Sequence, residues 1–176
     1  MPLTKISVEL SLPYLSKISG EWEPDENERE AAWELYVELI TRVSVVNLGP
    51  EEGLLRESLS SLYSLFATTR EILRKHGPAV AKPKGKNRIS FGLLSVAVLN
   101  SVLRPILSKW HPLLDDYEAK RPSGLSPLEY EGKWEKAPEL RHALDGARLK
   151  LVEFAGILAD VAGVPSLLPD TPERDK

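Results

Sequence analysis

Leu55, Leu59, Leu62, Phe66, Thr69 and Leu73 follow one another at alternating steps of four and three residues. Only an α-helix brings such a series to one side, and so regular a seam must be covered by other helices. Pro50 at the tolerated first position and Gly77 as the C-terminal cap bracket a helix over about 50–76.

The rest of the chain supplies the covering rods. Asp25 and Glu28 form an Asp-x-x-Glu capping box, and Ala32, Leu35, Leu39, Val43 and Val46 continue the stripe towards Gly49-Pro50. A third helix is expected from about Ser90 to Ala119. A fourth starts at Ser126-Pro127-Leu128-Glu129, with Leu140, Leu144, Ala147, Leu151, Phe154, Leu158 and Val161 as its seam and Gly163 as its stop. Pro138 should kink that helix early or split it in two. Short connections make neighbouring helices antiparallel. The expected fold is all-α: an antiparallel up-down four-helix bundle over 21–164, with an extended N-terminal segment over 1–20 and a Pro-rich tail over 165–176.

Residues 4–12, "TKISVELSL", alternate apolar and polar side chains at the period of a β-strand. A lone strand is not stable. It pairs with a second short strand, with the same strand of another copy or with a partner chain, or else it lies along the helices as an extended arm.

Composition removes whole classes of chemistry. The 176 residues contain no cysteine, which excludes disulfides, thiolate metal sites and thiol nucleophiles, and fits a reducing cytoplasm. A formal net charge of -3 argues against wholesale binding to nucleic acid or acidic membranes. The apolar run Ile89–Leu99 is too short to span a bilayer, and the N-terminus does not read as a signal peptide. A carboxylate-bridged di-metal site needs two Glu-x-x-His pairs, and only Glu139–His142 fits. The loop "KPKGKNR" lacks the Walker spacing, and there is no G-x-S-x-G elbow. A non-catalytic protein without metal or cofactor is expected.

Two regions remain as candidates for binding. Arg70, Arg74, Lys75, Lys82, Lys84, Lys86 and Arg88 make a local basic patch that suits phosphates, a nucleotide or an acidic partner, but also suits a solvated loop. It contains no aromatic residue for base stacking, so nucleic acid is not the favoured ligand. In the stretch "NSVLRPILSKWHPLLDDYE", Asn100, Arg104, His111, Asp115 and Glu118 fall on the polar side of the third helix. Lys109 instead falls within the apolar arc, beside Trp110, so it must snorkel, pair with a carboxylate or face a partner. Pro105 frees the carbonyl of Ser101 and implies a bend. A bend flanked by Arg104, Lys109 and His111 offers an anion notch or a docking surface.

The tryptophans bear on the same question. Trp22 and Trp33 flank an acidic stretch, and Trp110 and Trp134 lie near helix ends. Large aromatics at such places close a core, whereas an exposed Trp beside acids acts as an interface anchor. The acidic start of the first helix also complements the basic 70–88 segment, which allows a head-to-tail self-contact.

The segments "AAWELYVELITRV", "LRESLSSLYSLFATTREILRKHGPAV", "ISFGLLSVAVLNSVLRPILSKWHPLLDDYE" and "AGVPSLL" resemble uncharacterised small helical proteins of bacterial conflict and defence gene neighbourhoods, over roughly residues 31–168. The resemblance implies an accessory or regulatory subunit and carries no catalytic or ligand residue. A protein partner or self-association is therefore expected, with docking through Lys109, the Pro105 bend, the aromatics and strand 4–12.

Overall fold

The computed structural model describes residues 5–15, 17–42, 49, 51–84, 86 and 89–168. The alternating N-terminal segment forms β1 (Ile6–Leu10), which pairs antiparallel with β2 (Ile18–Trp22), Ile6 opposite Trp22 and Leu10 opposite Ile18. Of the partners the sequence allows, a second strand of the same chain is the one found. Ile6, Val8, Leu10 and Trp22 turn inward and join one hydrophobic core with the helices. The outer face carries the Lys5–Glu21, Lys5–Glu23 and Lys17–Glu9 ion pairs.

Helix α1 (Glu26–Ile40) starts at the expected capping box. It stops earlier than its apolar stripe implies. The Thr41 hydroxyl donates back to the Val37 carbonyl at 2.7 Å, and the Arg42 side chain leaves the helix for the next one. Val43 and Val46, and the expected stop at Pro50, lie outside the described residues.

Helix α2 (Leu55–His76) begins five residues later than expected, at a leucine with no side-chain cap of its own at Leu54. Its cap comes from far along the chain: the Leu55 N–H donates to Glu131 Oε1 at 2.5 Å. The inward stripe is Leu55, Leu59, Leu62, Leu65, Thr69 and Ile72. Phe66 and Leu73, read as seam residues, are half-buried at its margin.

A 3-10 turn (Pro78–Ala81) leads to α3 (Phe91–Val98), a π-helical turn (Leu99–Leu103) and α4 (Arg104–Glu118), which form one continuous rod capped by Ser90. The bend expected at Pro105 is realised as the π turn just before it. The Arg104 N–H bonds to the Leu99 carbonyl five residues back, which re-houses groups a proline would leave unpaired. By length and composition this rod could cross a membrane, yet half of its apolar window is buried inside the protein, as in a core helix.

The expected fourth helix is two. Helix α5 (Pro127–Gly132) keeps the Ser126–Glu129 capping box, and α6 (Ala137–Ala162) restarts with Pro138 in its first turn and ends at left-handed Gly163. The described residues thus contain a two-stranded N-terminal sheet and five helices, counting α3 to α4 as one. Helix α1 packs most extensively on α6 and next on α2, α2 also packs on α4, and β1 lies on α6. The segment after α6 is tied down as far as Leu168: the Leu167 N–H donates to the Tyr36 hydroxyl at 2.6 Å.

Candidate functional site

The capping-box glutamate accepts four hydrogen bonds. Glu28 is fully buried. One of its carboxylate oxygens accepts from the Phe91 N–H at 3.1 Å. The other accepts from Trp22 Nε1, the Asp25 N–H and Lys84 Nζ, at 3.3, 3.3 and 2.8 Å. Lys84 also bonds Asp25. Burial pulls the Lys84 amine down, but its bonds to the two carboxylates outweigh this and hold it above the ordinary lysine value. Burial likewise opposes Asp25 ionisation, and Lys84 more than compensates, holding that carboxyl low. Lys84 therefore ties the loop to the start of α1 instead of offering a charge to a ligand.

His111 also has internal partners. Arg56 reaches across from α2 to Glu118 (2.7 Å), Asp115 (2.5 Å) and His111 Nδ1 (3.0 Å). Burial, and next the Arg56 guanidinium, push the imidazole below its ordinary value. Its Nδ1 accepts from Arg56, so the neutral ring carries its proton on Nε2. That atom is buried without a hydrogen-bond partner among the described residues, and the Tyr63 ring stands edge-on at 5.8 Å between centroids. The expected polar stripe of Asp115, Glu118 and His111 is thus partly an inter-helix ion cluster.

Lys109 takes the second of its three expected options. It pairs with Glu139 at 2.6 Å and lies 4.5 Å from the centroid of the Trp110 ring. Trp110 itself is buried against Trp134. Arg104 is exposed, donates to Asn100 at 3.0 Å and sits over Phe66. Arg104, Lys109 and His111 therefore point to three different partners and form no common notch.

Arg70, Arg74, Lys82 and Lys86 are exposed and make no hydrogen bond or ion pair among the described residues. Arg88 lies outside the described residues. Among those described, no three His, Asp or Glu side chains converge as metal ligands would.

A groove of about 460 Å³ runs between α1 and α2. Its apolar part is Trp33, Val37 and Ile72, and its polar part includes Glu34, Glu38, Glu71 and Lys75. Trp33 is 41% exposed, unlike Trp22, Trp110 and Trp134, which are all in the core. Its ring leans on Tyr36 at 6.0 Å. Two polar clusters join the helices beneath the groove. His76 bridges Asn27 (2.6 Å) and Glu34 (3.0 Å). Arg42 bridges Glu38 (2.9 Å) and Thr68 (3.1 Å). Lys75 pairs with Glu34, whereas Glu71 makes no ion pair or hydrogen bond among the described residues.

Of these groove residues the sequence singles out Trp33 and, within the basic patch, Lys75. The available signal is that Trp33 falls between the buried Ala32 and Leu35, off their stripe. The α2 wall otherwise leaves no trace in the pattern, because the pairing of α1 with α2 creates it. Compared with protein-family models, curated proteins and solved structures, this chain matches none of them.

Proposed function

We propose that this protein is a non-catalytic docking module, an accessory or regulatory subunit whose up-down helical bundle serves a protein partner. The half-exposed Trp33 in the α1–α2 groove carries this reading. Tryptophan is the residue type most enriched at interface hot spots, and a groove between two helices accepts a partner's amphipathic segment. The β hairpin adds a second point of contact through the free edges of its strands. The resemblance to small helical proteins of bacterial defence neighbourhoods supports a partner from such a system, and the lack of cysteine supports a cytoplasmic setting.

The test is a Trp33→Lys variant of the tagged chain in its native host. A protein retained by the wild type in fixed proportion should be lost, with thermal unfolding unchanged. Equal retention by both chains overturns the reading.

A second reading follows from four exposed cations without partners among the described residues, Arg70, Arg74, Lys82 and Lys86: phosphate backbones of nucleic acid or a nucleotide bind there. It requires binding that weakens steeply with salt and disappears when those four residues become alanine.

A further inference from the structure

We propose that His76 is a proton-operated clamp between α2 and α1: the charged ring holds α1 at two points beside the groove, and the neutral ring must let go of one.

The proton count follows from the partners. Asn27 Nδ2 donates to the His76 carbonyl at 2.9 Å, which fixes the side-chain amide and turns Oδ1 to the ring Nδ1 at 2.6 Å. Reversing that amide would set two carbonyl oxygens against each other with no proton between them. Oδ1 can only accept, so Nδ1 must donate. On the other side of the ring, Nε2 lies 3.0 Å from Glu34 Oε1. Burial opposes Glu34 ionisation, but the bonds from Lys75 and His76 outweigh it and hold that carboxyl below its ordinary value. An ionised carboxylate can only accept, so Nε2 must donate as well. A neutral imidazole has one N–H and an imidazolium two. Both bonds therefore coexist only in the charged ring.

The surroundings make that proton consequential. The His76 side chain is only 4% exposed, so water does not take the place of a lost partner. Glu34 of α1 favours the charged ring, and Lys75, on the same carboxylate oxygen, opposes it. Glu30 stands exposed on α1, one turn from both Asn27 and Glu34, and Arg74 shares the last turn of α2. The 3-10 turn at Pro78–Ala81 packs on both helices and carries no charge. The end of a helix, with its partial negative charge, favours a cation there. His111 is the counterpart near the start of α2. Its Nδ1 accepts from Arg56, which only a neutral ring can do. Two histidines thus hold the two ends of α2 in opposite protonation states.

As pH rises and the His76 ring gives up a proton, either the Asn27 or the Glu34 bond is lost. Glu34 and Lys75 line the groove together with Trp33. Release therefore loosens that wall and frays the last turn of α2 without unfolding the chain. Grip on a docked partner then weakens in the same direction. That last step alone rests on reading the groove as a docking surface.

NMR on the full chain tests the clamp without any partner. Long-range 1H–15N spectra follow the protonation of each histidine ring, with the exposed His142 as reference. Exchange protection of the Gly77 amide, which bonds the Leu73 carbonyl, is corrected for the intrinsic effect of pH. It should fall about tenfold across the His76 titration, the worth of one hydrogen bond to a charged group. The Trp33 indole resonance, assigned with Trp33→Phe, should move with the same midpoint. His76→Gln removes the titrating ring, and Asn27→Ala lets a neutral ring keep its Glu34 bond. Each should flatten both signals. Protection or an indole signal that stays level while His76 titrates overturns the clamp. So does a midpoint that follows His111 or His142, or a pH dependence that survives in both variants. Loss of the host partner on Trp33→Lys is read separately, so the clamp can fail while docking stands, and the reverse.

Discussion

At the scale of single residues, buried charge is tolerated only where its partners are complete. Glu28 accepts four hydrogen bonds, so truncating it strands the Trp22 and Phe91 donors in the core and leaves Lys84 with Asp25 alone. Glu28→Ala should destabilise the fold by about 3–5 kcal/mol in urea unfolding. Glu131 is different: burial outweighs its bond to the Leu55 N–H and raises its carboxyl above the ordinary value. A raised carboxyl pKa costs stability as pH climbs past the unfolded value, since the folded state holds its proton longer. Glu131→Gln keeps the acceptor without the charge and should match or exceed wild-type stability at pH 7. Glu131→Leu orphans the Leu55 N–H and should lose about 1–3 kcal/mol.

His111 has the opposite sign of linkage. Its folded pKa is depressed, so the unfolded chain takes the proton first as pH falls. Stability should therefore decline as pH drops below about 6.5, the ordinary imidazole value. Thermal melting between pH 7.5 and pH 5 should show this loss, and His111→Gln should lessen it. Of these partnerships only the Asp25–Glu28 capping contact is legible in sequence. Glu28 otherwise reads as a plain helix cap and His111 as a wet face, because Lys84, Phe91 and Arg56 lie 55 or more residues from the groups they meet.

At the scale of elements, local chemistry settles most starts and stops. The Asp25, Ser90 and Ser126 caps and the Gly163 terminus stand where the sequence puts them, since each is a contact within one turn of chain. The exceptions have tertiary causes. Helix α2 starts at Leu55 because Glu131 caps it from α5, and the strain around Pro105 appears as a π turn instead of a simple kink.

Close packing between elements gives a further prediction. A Cβ on Gly92 would lie 2.9 Å from the Ala81 Cβ and 3.0 Å from its Cα. The 3-10 turn thus presses on α3 at a point where only glycine fits. Gly92→Ala should cost about 1–3 kcal/mol by thermal or urea unfolding. Adding Ala81→Gly should restore part of it by removing the nearest methyl.

At the scale of the whole molecule, the N-terminal hairpin belongs to the core. It contributes Ile6, Val8, Leu10 and Trp22 to the same cluster as the helices. Deleting residues 1–22 should abolish cooperative unfolding in a calorimetric scan, while ending the chain after Leu168 should leave the transition intact. A chain lacking 1–22 that melts as sharply as the wild type would refute this. The groove exists only at this scale: α1 and α2 each look like an ordinary amphipathic rod, and their juxtaposition frames Trp33 with Glu34, Glu38 and Glu71.

Through periodicity and capping, the sequence alone determined the helices, the alternating strand and the break at Pro138, because each depends on neighbours a few residues away. The tertiary structure alone decided which charges are consumed and which stay free. Lys84, Lys109 and His111 were absorbed by Asp25 and Glu28, by Glu139 and by Arg56, whereas Arg70, Arg74 and Trp33 were left facing outward. The physical reason is distance along the chain. A side chain's periodicity fixes the face it occupies, but only packing fixes what stands opposite.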